Sequence, residues 1–262
     1  MTHGILYEHT GQDTGKGTLV FLHGIGGDAD SFHHQMSAFP GYRVVAWNMP
    51  GYGGSEVRKS PPDFAHLSDR LGAMIDALGG PVHLVGQSIG GMIAMDHAIR
   101  RGDQVCSLGL VATTPRFGGR DDSFKEAFLR ARLAGLDSGQ SMADMAAATA
   151  PHLVGAGTPH REIQRIAAGL ARVPESTWRD ILRCLVTFDR ADDLHAITCP
   201  TLVIGGRDDS NAPPKTVEKM AARITAAQCH ILTGGGHMLH QEQPDVFNAR
   251  LADFLSEIDP HD

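Results

Sequence analysis

Gly86-Gln87-Ser88-Ile89-Gly90-Gly91 decides the reading of this chain. Just before it, Pro81 to Val85 (PVHLV) is a short apolar run that predicts a buried strand. Just after it, Ile89 to Arg100 predicts a helix that begins at once. A serine on so tight a strand-to-helix turn is held in strained backbone angles and stands clear of its neighbours. Side chains two positions to either side would collide, so Gly86 and Gly90 are needed there. The helix points its N-terminus at the serine, which favours negative charge gathering beside it. In a Gly-rich loop G-x-S-x-G arises by chance; the strand before and the helix after make Ser88 a candidate nucleophile.

Further apolar runs lie on both sides of this turn. Gly17 to Leu22, Tyr42 to Trp47, Val105 to Ala112, Thr201 to Ile204 and Cys229 to Leu232 are short, rich in β-branched residues and bounded by Gly or Pro. Buried parallel strands have this character. Between them lie amphipathic helices. In Asp63 to Leu78 the residues Phe64, Leu67, Leu71, Met74, Ile75 and Leu78 share one face, and Gly79-Gly80 stops the helix. Val246 to Ile258 repeats the pattern. Such alternation predicts an α/β fold, a mostly parallel central sheet with helices on both faces.

The stretch 115–195 breaks the alternation. It carries helical patterns (Phe124 to Leu133, Met142 to Ala148, Ile163 to Leu170, Trp178 to Val186) and no convincing strand. It is too long for one crossover, so it is expected to be a helical lid on a core formed by residues 1–114 and 196–262.

A serine hydroxyl needs a base to take its proton. His237 follows the last predicted strand and Gly234-Gly235-Gly236, where glycines let the chain turn sharply toward the site; His240 is the rival. The base in turn needs a carboxylate. The fifth predicted strand ends in Gly205-Gly206-Arg207-Asp208-Asp209-Ser210, and either aspartate suits. The order Ser, Asp, His matches a nucleophile elbow rather than the other triad folds. Two donors must face the oxyanion. The amide of Ile89 is one, and the loop His23-Gly24-Ile25-Gly26-Gly27 supplies the other, with Ile25 preferred and Gly26 the alternative. The His23 ring is expected to hold this loop rather than react.

With these motifs in order, the chain resembles the α/β-hydrolase superfamily over nearly its whole length. His23-Gly24, then Asn48-Met49-Pro50-Gly51-Tyr52-Gly53-Gly54-Ser55, the elbow, Gly206-Arg207-Asp208-Asp209 and Gly236-His237-Met238 carry the resemblance. It implies that the acid lies three residues after Gly206 and ahead of Pro213, at Asp209. Phe188-Asp189-Arg190, Asp209 to Pro213 and Gly236 to Leu255 are similar to the carboxylesterase and 3-oxoadipate enol-lactonase branch. Relatives that open epoxides or remove halides carry an aspartate at the elbow, where this chain has Ser88.

Composition narrows the rest. The formal charge of −7 argues against general nucleic-acid binding. No apolar run reaches the ~20 residues that span a bilayer, and Met1-Thr2-His3-Gly4, with no basic region ahead of an apolar stretch, is not expected to begin a secretory signal. Four cysteines without a CxxC pair are expected to be reduced thiols in a cytoplasmic protein. The close histidine sets, His33-His34 and His237 with His240, lack local carboxylate or thiolate partners, so no metal and no cofactor is expected. Oligomeric state is not legible. The expected activity is cleavage of an ester or lactone of a small to medium substrate through an acyl-enzyme. The alternatives are the same fold acting as a C–C hydrolase, thioesterase, perhydrolase or cofactor-free dioxygenase, and a non-enzymatic small-molecule receptor.

Overall fold

The structure, a computed structural model, describes residues 2–57, 59–118 and 122–258. Its elements in chain order are β1 (Tyr7–Thr10), β2 (Thr18–Leu22), β3 (Arg43–Trp47), α1 (Phe64–Leu78), β4 (Val82–Gln87), α2 (Ile89–Arg100) and β5 (Val105–Val111). Four helices follow: α3 (Asp122–Asp137), α4 (Met142–Thr149), α5 (His160–Arg172) and α6 (Glu175–Leu185). The chain then completes the core with β6 (Thr201–Gly206), α7 (Pro214–Ala221), β7 (Gln228–Leu232), α8 (Leu239–Glu242) and α9 (Pro244–Ile258). The strands form one sheet in the order β1-β3-β2-β4-β5-β6-β7, parallel except for β1, which pairs antiparallel with β3.

Successive strand residues point to opposite faces, and the core divides accordingly. Val20 and Leu22 of β2 join Val45 and Trp47 of β3 under Leu67, Leu71, Met74 and Ile75 of α1. Leu19 and Phe21 join Val44 and Ala46 on the other face, with Phe247, Leu251, Phe254 and Leu255 of α9. The ends of α1 are fixed locally. Asp63 accepts the amide of His66 as the N-cap, and Gly79 turns the chain in the left-handed region at φ 107°.

The six predicted strands and the helices after them are present. β4 and β6 run two residues further than predicted, through Gly86-Gln87 and Gly205-Gly206. Three elements are additions to the sequence reading, β1, α7 and the short α8. Among the described residues no helix is long and apolar enough to cross a membrane.

Between β5 and β6 the regular structure of the described chain is helical apart from one bridge. The amide of Phe117 donates to the carbonyl of Phe188 (2.9 Å), and that of Arg190 donates to Pro115 (2.8 Å). The segment therefore leaves and rejoins the core at adjacent points. It is also tied to the core by charge. Arg190 Nε and Nη2 each lie 2.7 Å from Asp96 on α2, and Arg172 Nη2 lies 2.8 Å from Asp28.

Candidate active site

The sheet order reverses between β2 and β4, because β2 leads to β3 on one side and β4 lies on the other. A crevice opens beyond the strand ends at such a point. The loop after β2 and the turn after β4 bring Ile25 and Ser88 there, and both line one cavity of about 460 Å³.

Ser88 sits at φ 54° and ψ −121°, outside the ordinary regions for a side-chain-bearing residue. Neighbouring groups hold it. Its amide donates to Val111 (2.9 Å), and its carbonyl accepts the Thr113 hydroxyl (2.8 Å) and the Met92 amide (3.1 Å). The flanking glycines are sterically required. A Cβ on Gly86 would stand 2.3 Å from the Gly90 carbonyl oxygen, and one on Gly90 would stand 2.2 Å from that of Leu22.

His237 follows β7. Its Nε2 lies 3.0 Å from Ser88 Oγ, and its Nδ1 lies 2.8 Å from Asp209 Oδ2. The other Asp209 oxygen accepts the amides of Asn211 (2.8 Å) and Ala212 (3.1 Å). Burial alone would push the Asp209 carboxyl up. The charge and hydrogen bond of His237, with the Ala212 and Asn211 amides, outweigh burial and hold it below the usual carboxylate range. Asp209 is thus an ionised acceptor at neutral pH, which assigns the imidazole proton to Nδ1. Nε2 is left as the acceptor facing the serine hydroxyl.

The alternatives separate clearly. Asp208 is exposed, with its amide donating to Gly235. His240 is buried against Phe32, ring centroids 4.7 Å apart, and burial pushes its imidazole down to about 3. His23 is fully buried and holds its loop: Nδ1 bonds the Gly24 carbonyl (2.7 Å) and Nε2 accepts the Met49 amide (3.0 Å). Burial pushes His23 down to about 4. The Tyr52 hydroxyl donates to the Ile25 carbonyl (2.7 Å), further fixing that loop. Ile89 is the first residue of α2, where a backbone N–H has no partner within the helix.

Glu242 on α8 was missed in the sequence. Its Oε1 accepts the Met238 amide (2.8 Å), and its Oε2 accepts those of Gly236 (2.9 Å) and Gly155 (2.7 Å). Gln87 was missed too; its Nε2 donates to the His237 carbonyl (2.9 Å). Both act mainly on backbone groups, so no pairing of side-chain types marks them in the sequence.

Helices α3 to α6 and the adjoining loops close the cavity with an apolar wall that includes Phe128, Ile166, Leu170, Trp178, Leu182 and Leu185. The His237 amide donates to Leu153 in the loop after α4 (2.7 Å). Outside the cavity, Glu162 of α5 comes beside His33 and His34. Their three ligand atoms lie within 4.8 Å of one another. The carboxylate that local spacing did not supply therefore arrives through the fold.

Comparison with known proteins agrees with this architecture. A model of the Alpha/beta hydrolase family matches residues 19–250. A Variovorax paradoxus protein, named provisionally as the carbamate hydrolase RutD, is 30% identical, with 96% of each chain covered. A pimeloyl-[acyl-carrier protein] methyl ester esterase of Neisseria meningitidis serogroup B is 29% identical, covering 90% of this chain and 92% of its own. Among solved structures, the enol-lactonase from Burkholderia xenovorans LB400 superposes with a TM-score of 0.87 at 23% identity, covering 97% of this chain and 98% of its own. With the family pattern spanning most of its length and the matching sheet beneath it, this chain belongs to the alpha/beta hydrolase family.

Proposed function

We propose that this hydrolase cleaves a carboxylic ester or lactone of a small to medium substrate through a covalent acyl-enzyme. One observation carries the reading: Ser88 Oγ, His237 Nε2, His237 Nδ1 and Asp209 Oδ2 follow one another at 3.0 and 2.8 Å hydrogen-bonding distances, with the serine opening onto an apolar cavity. Ser88 attacks the carbonyl carbon as His237 takes its proton, and Asp209 stabilises the imidazolium that forms. The amides of Ile25 and Ile89 receive the oxyanion. His237 returns the proton to the leaving oxygen. Water, deprotonated by the same imidazole, then releases the acid and restores Ser88.

Helices α3 to α6 act as a cap, within the segment 115–195, that keeps the acyl pocket dry. A cavity of about 460 Å³ suits a substrate of modest size. The methyl ester esterase among the relatives supports acyl transfer to water. The carbamate name on another supports carbonyl chemistry of the same kind.

The test is a panel of p-nitrophenyl esters of increasing acyl length and of lactones, including an enol-lactone, with wild type beside Ser88→Ala. Serine-dependent hydrolysis is expected, with a length optimum set by the cavity. Full activity in Ser88→Ala would overturn the mechanism. Labelling of Ser88 by a fluorophosphonate without turnover of any ester or lactone would move the triad to another bond, such as a carbamate or a C–C bond, or to ligand capture.

A further inference from the structure

The cavity wall formed by α3 carries a charge that the hydrolytic reading does not use. Arg132 lines the cavity beside Phe128, with its guanidinium carbon 5.3 Å from that ring's centroid. Its Nη2 lies 3.4 Å from Oδ1 of Asn211, which lines the same cavity two residues after Asp209. The side chain is half-buried. Among the described residues, no carboxylate lies within 4 Å of the guanidinium. Arg116, which also lines the cavity, is different. Its Nε donates to Asp189 at 2.6 Å, and Asp192 stands 3.6 Å away, so its charge is answered within the protein.

A guanidinium remains protonated even where burial works against its charge, as it does at Arg132. A cation partly withdrawn from water and lacking a counter-charge is unfavourable. A ligand that supplies the missing charge relieves that cost and gains a charge-assisted, two-pronged hydrogen bond. The counter-charge that fits is a single one. Of the guanidiniums lining this mainly apolar cavity only that of Arg132 is unanswered, since Arg116 is paired with Asp189, so the second charge of a phosphate monoester would be buried without a partner.

We propose that Arg132, with Asn211 beside it, is a recognition site for a carboxylate, and that the substrate carries a free carboxylate in addition to the bond that breaks. This rests on the ester and lactone reading for its catalytic consequence, but not for the binding itself. Because Arg132 acts on a group remote from the scissile carbonyl, it selects among substrates that Ser88 attacks identically.

Two matched sets of substrates test it. In one, p-nitrophenyl monoesters of dicarboxylic acids are compared with neutral acyl esters of equal length. In the other, butyrate esters of 4-hydroxybenzoate are compared with those of 4-hydroxybenzamide. These place the carboxylate on the acyl and the leaving side respectively. Wild type should prefer the acid member of at least one set. Arg132→Gln should erase that preference, with a loss of kcat/KM on the acid member about 10- to 100-fold greater than on its neutral partner. Arg132→Lys should restore part of it, since a lysine supplies charge without the planar fork.

A second arm needs no turnover. Straight-chain mono- and dicarboxylates of three to eight carbons are titrated into Ser88→Ala and into Ser88→Ala combined with Arg132→Gln, reading Tm. A rise in Tm with the first protein and none with the second is expected. This arm still decides the matter if no ester or lactone proves to be a substrate. Equal losses on both members of each pair, no carboxylate that raises Tm, or tighter binding of an alkyl phosphate than of the carboxylate of equal length would each overturn the proposal.

Discussion

Glu242 brackets His237: its carboxylate accepts the amide just before that residue, Gly236 (2.9 Å), and the one just after it, Met238 (2.8 Å). The same oxygen that holds Gly236 also accepts the Gly155 amide and the Thr158 hydroxyl (3.1 Å), joining the histidine loop to the segment between β5 and β6. Backbone packing is as tight, since a Cβ on Gly236 would lie 2.6 Å from the Gly155 nitrogen. Glu242→Ala would strand these donors in a buried place. It is expected to cost roughly 3–5 kcal/mol of stability. It should also lower kcat/KM about 10- to 100-fold by letting the imidazole drift from Ser88. Glu242→Gln keeps one acceptor oxygen but turns an NH2 toward N–H donors, so about half the stability loss is expected. Urea unfolding beside ester turnover checks both; a Glu242→Ala protein unchanged in each would show that the bracket supports nothing.

Ser88 pairs chemistry with strain, and substitution should separate the two. Its φ of 54° is one that glycine adopts freely and other residues at a cost of about 1–3 kcal/mol. Glycine also gives the unfolded chain more freedom, which offsets part of that relief. Ser88→Gly is therefore expected to be inactive yet more stable than wild type by about 1 kcal/mol, a rise of roughly 2–4 °C in Tm. Ser88→Ala should be as inactive without the gain. Calorimetry on the three proteins decides it, and a Ser88→Gly protein less stable than Ser88→Ala would contradict strain at the elbow.

These two residues also mark what the sequence could and could not reveal. Ser88 was legible because strain forces small neighbours, and Gly86 and Gly90 record that constraint in the chain itself. Glu242 was not, because three of its four partners are backbone amides that any residue would supply. The strand ends were misjudged for a related reason. Gly205 and Gly206 read as the end of a strand, but Gly206 is a strand residue kept bare. A Cβ there would meet the carbonyl oxygens of Gly235 and Gly236 at 2.3 Å, where the histidine loop crosses. β1 escaped notice because Tyr-Glu-His-Thr is an edge strand without buried residues. α7 was available in principle, since Val217, Met220 and Ala221 fall on one buried face behind Pro213-Pro214.

Asp208 and Asp209 are adjacent but unequal, and the difference should appear in rate. Asp209 is 4% exposed and faces His237, whereas Asp208 is exposed. Asp209→Asn turns an acceptor into a group that can present a donor to Nδ1, favouring the tautomer whose proton sits on Nε2. A fall in kcat of about 10⁴ is expected, the scale on which a triad loses its orienting acid. Asp208→Asn should stay within about twofold. Stability separates them as well. The Asp209 carboxyl is held below the usual range, so its ionised form stabilises the fold above the ordinary carboxylate pKa. That contribution is lost as pH falls through the depressed folded value. Equal kinetic losses for the two variants would mean that the acid had been assigned to the wrong side chain.

His240 and His23 set how the fold responds to mild acid. Both are buried and neutral, pushed down to about 3 and about 4 from an ordinary 6.5. An unfolded chain takes up a proton at each near pH 6.5, while the folded chain does not. Stability from these groups is therefore complete above pH 6.5 and declines as pH falls from there toward the folded values. Each contributes a slope of about 1.4 kcal/mol per pH unit over that window. His240 lines no part of the cavity, so its replacement tests the fold apart from the chemistry. His240→Gln, neutral at every pH, is expected to lose some packing against Phe32 at pH 7. It should also reduce the slope of unfolding free energy between pH 6 and pH 4 by about one proton relative to wild type. Urea melts at half-unit steps across that range measure the slope directly. An undiminished slope would mean that His240 is protonated in the folded protein, and that a counter-charge reaches it.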